Sequence, residues 1–235
     1  MSAGERMGYL TVVPSVPPGT AAQNALVHAG DYINLKDWNR CSVVLRMGST
    51  VVTTRTLRIQ QATNVAGAGV KALNFEAVWR TGCRVYFNPA TRNAIAFVLG
   101  EVVTGAGGAT GAIHAIHGDH LVLHTRNAIA FVAAELITGA GGATANLLAA
   151  AMEVDEDILC RQVLPAAVNT FVAPAVANKT YVIEFSAADL DADNGFTCLL
   201  ADISAVGGAD DTGRSVNYIL SGPRYAGEPM NTAIY

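Results

Sequence analysis

The chain has 235 residues, 51% hydrophobic and 14% charged, with 23 glycines, three lysines (Lys36, Lys71, Lys179) and a formal charge of -4. That length holds one sizeable core, or one domain carrying a smaller one, and a surface with so little charge is of the kind that partners cover. The negative balance and the lack of a Lys/Arg cluster argue against nucleic acid, which needs a basic footprint, and Glu5 and Arg6 interrupt the start where a signal peptide would be apolar.

In chain order, "GYLTVVPSVPPGTAA" comes first. Pro14, Pro17 and Pro18 keep it out of a helix or central strand, while Tyr9, Leu10, Val12 and Val13 offer apolar contacts, so these seven residues form a candidate docking arm within residues 1–20. The competing expectation is a short edge strand packed on its own sheet. Strands follow. "CSVVLRM" sends Val43, Leu45 and Met47 to one face and "TLRIQ" sends Leu57 and Ile59. In "LNFEAVWR" the alternation points Leu73, Phe75, Ala77 and Trp79 inward, with Asn74, Glu76, Val78 and Arg80 mostly to water.

The middle is a tandem duplication. Residues 91–110 read TRNAIAFVLGEVVTGAGGAT and residues 125–144 read TRNAIAFVAAELITGAGGAT, an offset of 34 with four differences: Leu99/Ala133, Gly100/Ala134, Val102/Leu136 and Val103/Ile137. Between the copies, "AIHAIHGDHLVLH" alternates around a Gly118-Asp119 turn and predicts a hairpin. "ANLLAAAMEVDEDIL" is the one respectable helical candidate. Late strands are expected in "TYVIEFS" (Tyr181, Ile183, Phe185 inward), "CLLADIS" and "SVNYILS" (Val216, Tyr218, Leu220 inward). The longest uncharged runs, 136–152 and 162–178, are too short to span a membrane and are broken by Gly or Pro.

Short strands separated by Gly, Pro, Asn and Asp turns predict an all-β chain: an antiparallel β-sandwich or jelly-roll-like domain over 21–88 and 160–235, with a small inserted β-module over 89–159 built from the repeat. The four cysteines, Cys41, Cys83, Cys160 and Cys198, lie tens of residues apart without a CxxC pair, and read as free buried thiols in a reducing compartment.

"VTGAGGATG" resembles the first strand-turn of a short-chain dehydrogenase, where glycines let a pyrophosphate approach a helix N-terminus. That mechanism needs a crossover helix, yet a hairpin stands in its place. The glycines read instead as the positive-φ residues of tight hairpins. His114, His117, His120 and His124 gather on the middle hairpin, with His117 facing His120, but a zinc site wants a third or fourth ligand. Asp189, Asp191 and Asp193 alternate as in a calcium loop, but Gly195 comes one position late and Leu200 stands where a bidentate glutamate belongs, so a polar turn is expected. There is no GxSxG elbow. No catalytic, cofactor-binding or metal-ligating residue is assigned.

"NKTYVIEFSAADLDADNGFTCLLADIS", "YILSGPRYAGEP" and the earlier "NFEAVWRTG" resemble virion proteins of tailed bacteriophages, in particular small β-rich proteins that decorate or cement the capsid. The F-x-x-G-E-x-V-T-G and G-A-T-G elements around G-D-x-L-x-L are similar to β-modules of phage structural proteins, and the likeness covers most of the chain beyond residue 73. The second copy departs from it, with Ala133-Ala134-Glu135 where the module keeps its glycine. The resemblance implies no enzyme, cofactor or membrane. It implies a homotrimer on the outer capsid surface of the virion, assembled in the host cytoplasm and bridging subunits of the major capsid protein. A tail, baseplate or fibre protein that binds a receptor is the alternative, and a dehydrogenase a distant third.

Overall fold

The computed structural model describes residues 10–16, 31–48, 54–81, 84–127, 129–148, 158–173, 178–203 and 214–224. Among them the fold is all-β. The strands are β1 (Leu10–Val16), β2 (Ile33–Asn34), β3 (Trp38–Arg46), β4 (Arg55–Ala62), β5 (Lys71–Ala72), β6 (Phe75–Thr81), β7 (Arg84–Tyr86), β8 (Val102–Gly105) and β9 (Thr110–Ile116). They continue with β10 (His120–Arg126), β11 (Leu136–Gly139), β12 (Thr144–Asn146), β13 (Leu159–Val168), β14 (Thr170–Ala173), β15 (Thr180–Ser186), β16 (Cys198–Ile203) and β17 (Ser215–Pro223). The chain divides into two compact units, Met1–Phe75 with Ala167–Tyr235, and Glu76–Ala166.

The first unit is sandwich-like. One antiparallel sheet runs β1-β17-β3-β15; the other runs β14-β4-β16-β2, with β5 added to β4. Period-two alternation makes the core, because every second side chain must share a face. Val43, Leu45, Met47, Leu57, Ile59, Ile183, Val216, Tyr218 and Leu220 are fully buried, with Tyr181 and Phe185 nearly so. Tyr218 ties the sheets together, since its hydroxyl accepts from Ala201 N of β16 at 2.7 Å and donates to Asp31 O at 3.1 Å. β16 departs from alternation: Cys198–Ile203 is buried at every position. On its second face Asp202, opposite Arg58 in the ladder, is held by that guanidinium.

Between Leu10 and Val16 the candidate docking arm is an edge strand, as the competing expectation had it. It pairs with β17, turns Val13 inward (6% exposed) and Val12 outward (58%), and loses register between Pro14 and Val16, where proline has no N–H to give. Tyr9, Pro17 and Pro18 lie outside the described residues.

The second unit is a sheet in the order β13-β10-β9-β8-β11-β12, with β6 beside β13 and β7 on β10; the β10–β13 contact is parallel over Thr125–Arg126, and β7–β10, β9–β10, β8–β9, β8–β11 and β11–β12 pair antiparallel. Its boundaries at 76 and 166 take in β6, β7 and most of β13, which the alternation had assigned to the sandwich. β6 shows why. The inward phase carried by Leu73 and Phe75 breaks, and Val78 is fully buried while Ala77 and Trp79 are only partly covered.

Two further expectations are corrected. Ala145 and Asn146 end β12, Leu147 bridges to Phe87, and Leu159 begins β13, so both ends of the predicted helix are extended; residues 149–157 lie outside the described residues. Cys41 and Cys198 are free and buried, but Cys160 is in a disulfide whose partner lies outside the described residues. Spacing along the chain does not reveal this, because it does not fix distances in the fold.

The alanine that replaces the module's glycine keeps its geometry. Ala134 sits at φ 59°, matching Gly100 at φ 81° in the first copy. A Cβ in the left-handed region costs about 1 kcal/mol or more, partly offset by the smaller entropy loss of alanine on folding. Ala134→Gly is therefore expected to stabilise the second unit by roughly 0.5–1 kcal/mol in urea unfolding, and Gly100→Ala to destabilise it by a similar amount.

Candidate functional site: the exchanged repeat

The two copies are built into each other. β8 and β11 pair antiparallel with Val103 opposite Gly139, Thr104 opposite Thr138 and Gly105 opposite Ile137. Thr104 and Thr138 are equivalent positions of the repeat, so a local two-fold axis passes between them. Each copy ends in a three-residue hairpin loop. Gly105 N donates to Ala109 O (2.8 Å) and Gly108 N to Gly105 O (2.9 Å), with the same bonds at Gly139, Ala143 and Gly142. The third loop residue must be left-handed, and Gly108 (φ 86°) and Gly142 (φ 88°) supply it.

The other glycines answer to a different constraint. Glu101 of the first copy accepts from Val98 N (2.7 Å) in its own loop and from Gly141 N (3.0 Å) in the second copy's hairpin. Glu135 accepts reciprocally from Val132 N (2.7 Å) and Gly107 N (2.9 Å). Each carboxylate lies over a glycine: a Cβ on Gly105 would stand 2.5 Å from Glu135 Oε1, and one on Gly139 would stand 2.7 Å from Glu101 Oε1. So only Gly108 and Gly142 of the two GAGG loops are there for positive φ; Gly105 and Gly139 make room for a carboxylate.

Asparagines repeat the exchange. Asn93 Oδ1 accepts from Thr144 N (3.0 Å) and its Nδ2 donates to Gly142 O (2.8 Å); Asn127 does the same to Thr110 N (3.0 Å) and Gly108 O (2.8 Å). Beneath them Phe97, Phe131, Val103, Ile137, Ala109 and Ala143 join Phe87, Ile113, Leu121, Leu123 and Leu147 in one core. Arg92 lies 5.6 Å from the Phe87 ring centre and 5.9 Å from that of Phe97, and Arg126 lies 4.9 Å from that of Phe131, as cation–π contacts allow. Arg126 is 2% exposed and donates from Nη2 to Ile129 O (3.0 Å); burial, with Arg80 nearby, pushes its pKa down to about 9. Val102, Thr110, Ala112 and Thr125, with Val163 and Pro165 of β13, help to line a groove of about 520 Å³.

The predicted hairpin forms, with His117 N bonded to His120 O (2.9 Å). The His117 and His120 rings stack at 4.2 Å, His114 and His124 meet edge to face at 5.8 Å, and Tyr86 lies 4.9 Å from His120. Asp119 Oδ1 is 2.7 Å from His120 Nδ1, a contact that holds the Asp119 carboxyl below its ordinary pKa. Among the described residues no three His, Cys, Asp or Glu side chains stand close enough to share a metal ion. The aspartate loop is a pair of short 3-10 turns: Asp189 closes a capping box on Ser186, and Asp191 accepts from Lys71 and from Asn194 Nδ2. Lys71 also lies 4.2 Å from the Phe196 ring centre. Around the "VTGAGGATG" stretch the chain turns back as an antiparallel hairpin, with Gly111 inside β9.

The Glu101 and Glu135 exchange escaped the sequence reading. The signal was present, since each copy carries one acidic residue four positions before its first hairpin glycine.

Gly139→Ala is expected to destabilise the second unit by roughly 2–4 kcal/mol, because Glu101 must leave and a carboxylate's bonds to backbone N–H go with it. In a double-mutant cycle with Glu101→Ala the two losses should fall well short of additive; additive losses would mean the carboxylate and the glycine are independent. In the first unit, Lys71 depresses the Asp191 pKa below its unfolded value, so this contribution is complete above the ordinary carboxylate pKa and is lost as pH falls through the folded one. Lys71→Met should flatten the acid side of the pH–stability curve. Against protein-family models, curated proteins and solved structures, the chain returns no match.

Proposed function

We propose that this chain is a structural protein of a tailed-bacteriophage head, which binds the outer surface of the assembled shell as an oligomer and stabilises it by bridging major capsid subunits. The observation that carries the reading is where the second unit leaves apolar side chains in water. Ile95, Val98 and Val102 of the first copy and Ile129, Val132 and Leu136 of the second are 45 to 59% exposed, in equivalent pairs. The charged residues of each copy, one Arg and one Glu, are turned to internal partners, so the repeat offers neutral apolar contacts. Grouped exposure of this kind marks interaction surfaces. The resemblance to capsid-decorating proteins supplies the partner, and the Cys160 disulfide suits a protein whose working life is spent outside a reducing cell.

The mechanism is mass action. A ligand that binds only the assembled shell stabilises it by RT ln(1 + [L]/Kd), and several shallow contacts on one oligomer raise avidity without any one being strong. Val12, outward on edge strand β1, is the described residue of the predicted docking set best placed for such a contact.

Purified protein mixed with expanded, undecorated heads is expected to sediment with them saturably. Val12→Asp should weaken that binding tenfold or more without changing the circular dichroism spectrum. Failure to co-sediment, with binding to host cells instead, would move the protein to the tail, baseplate or fibre.

A further inference from the structure

The sheet of the second unit has an outer face with an unusual pattern. Along β8 positions Val103 and Gly105 face inward, and along β11 positions Ile137 and Gly139 do so. Val102, Thr104, Leu136 and Thr138 therefore point out, as do Thr110 on β9 and Thr144 on β12. The registers Thr104↔Thr110, Thr104↔Thr138 and Thr138↔Thr144 align four threonines in one row across four strands. The bonds Ala140 N to Val102 O (3.1 Å) and Ala106 N to Leu136 O (3.2 Å) continue the pairing, setting Val102 beside Ala140 above that row and Leu136 beside Ala106 below it. The flanking outward positions are Ala112 and Asn146. None of these outward positions is a Lys, Arg, Asp or Glu, because Glu101 and Glu135 sit on the inward side over Gly139 and Gly105, and Arg126, in the groove beside Val102, is only 2% exposed.

We propose that this face docks against the same face of a second copy of the chain, sheet upon sheet. The pattern is self-complementary. With the row of threonines as centre, a two-fold axis lying in the plane of the face, either along the strands or across them, brings Val102 over Ala140 or Ala106 of the second copy and Leu136 over the other alanine. Large meets small at each of these positions, as interdigitating sheets require, and threonine meets threonine along the row. Charge points to the same partner: two chains of -4 repel each other, and a face free of charge is where they approach at least cost. The contact is isologous and closes after two copies, so it differs from the threefold contact of a cement trimer.

Area sets the strength. Four strands about 4.8 Å apart and three outward rows about 6.8 Å apart give a footprint of about 400 Å² per partner. That is about half the roughly 800 Å² per partner of a standard stable complex, so the pair is weak in free solution, with a Kd on the order of 0.1–1 mM. It becomes lasting where copies are already held side by side.

Sedimentation velocity of the full chain from about 0.01 to 1 mM, a range spanning that Kd, tests it. The mass should double with concentration. Thr138→Lys, which sets a charge at the centre of the face on an outward side chain, should abolish the doubling, and Thr104→Asp should do the same if the lysine variant folds poorly. Val98→Lys, exposed on a loop outside this face, should leave it intact. A chain that stays undoubled to about 1 mM leaves the face to an unlike partner and overturns the proposal. So does doubling that survives Thr138→Lys and Thr104→Asp.

Discussion

A carboxylate suspended between two backbone N–H groups is the constraint on which the second unit turns. Glu101 and Glu135 each join a loop of their own copy to a hairpin of the other, and neither hairpin can carry a side chain where the carboxylate lies. Charge-assisted bonds of this kind are roughly twice as strong as neutral ones. They also place the charge on the inner side, which is why the outer face of the same four strands is left to Thr, Ala, Val, Leu and one Asn. One interaction fixes the turn chemistry, the pairing of the copies and the neutrality of the exposed surface.

The sandwich was largely legible in the sequence because each of its clearest strands serves one core. Val43, Leu45 and Met47, or Tyr181, Ile183 and Phe185, alternate without interruption, and period two is then sufficient. Reading failed where that premise failed. β6 passes from one unit to the other and shifts its buried phase to Val78; β16 is covered on both faces, so its alternation carries no information; and the alanine-rich stretch after β12 has the composition of a helix beside ends that pair as strands.

The repeat was legible as a repeat, and its glycine loops as hairpin corners, because both are local facts. Exchange between the copies is not local. Near-identical sequences do not say whether a glutamate reaches the hairpin of its own copy or of its twin, and the register of β8 against β11 decides it. The disulfide at Cys160 escaped for a similar reason, since spacing along the chain does not fix distances in the fold.

The exchange bears on how such a chain can change over generations. Direct repeats 34 residues apart invite slippage and loss of one copy, yet a chain left with a single copy would hold a hairpin without its carboxylate and a carboxylate without its hairpin. Neither copy can drift freely either, because a substitution at a glycine in one is felt by the glutamate of the other. Duplication, which ordinarily releases a spare to explore new roles, has here made two halves hostage to each other.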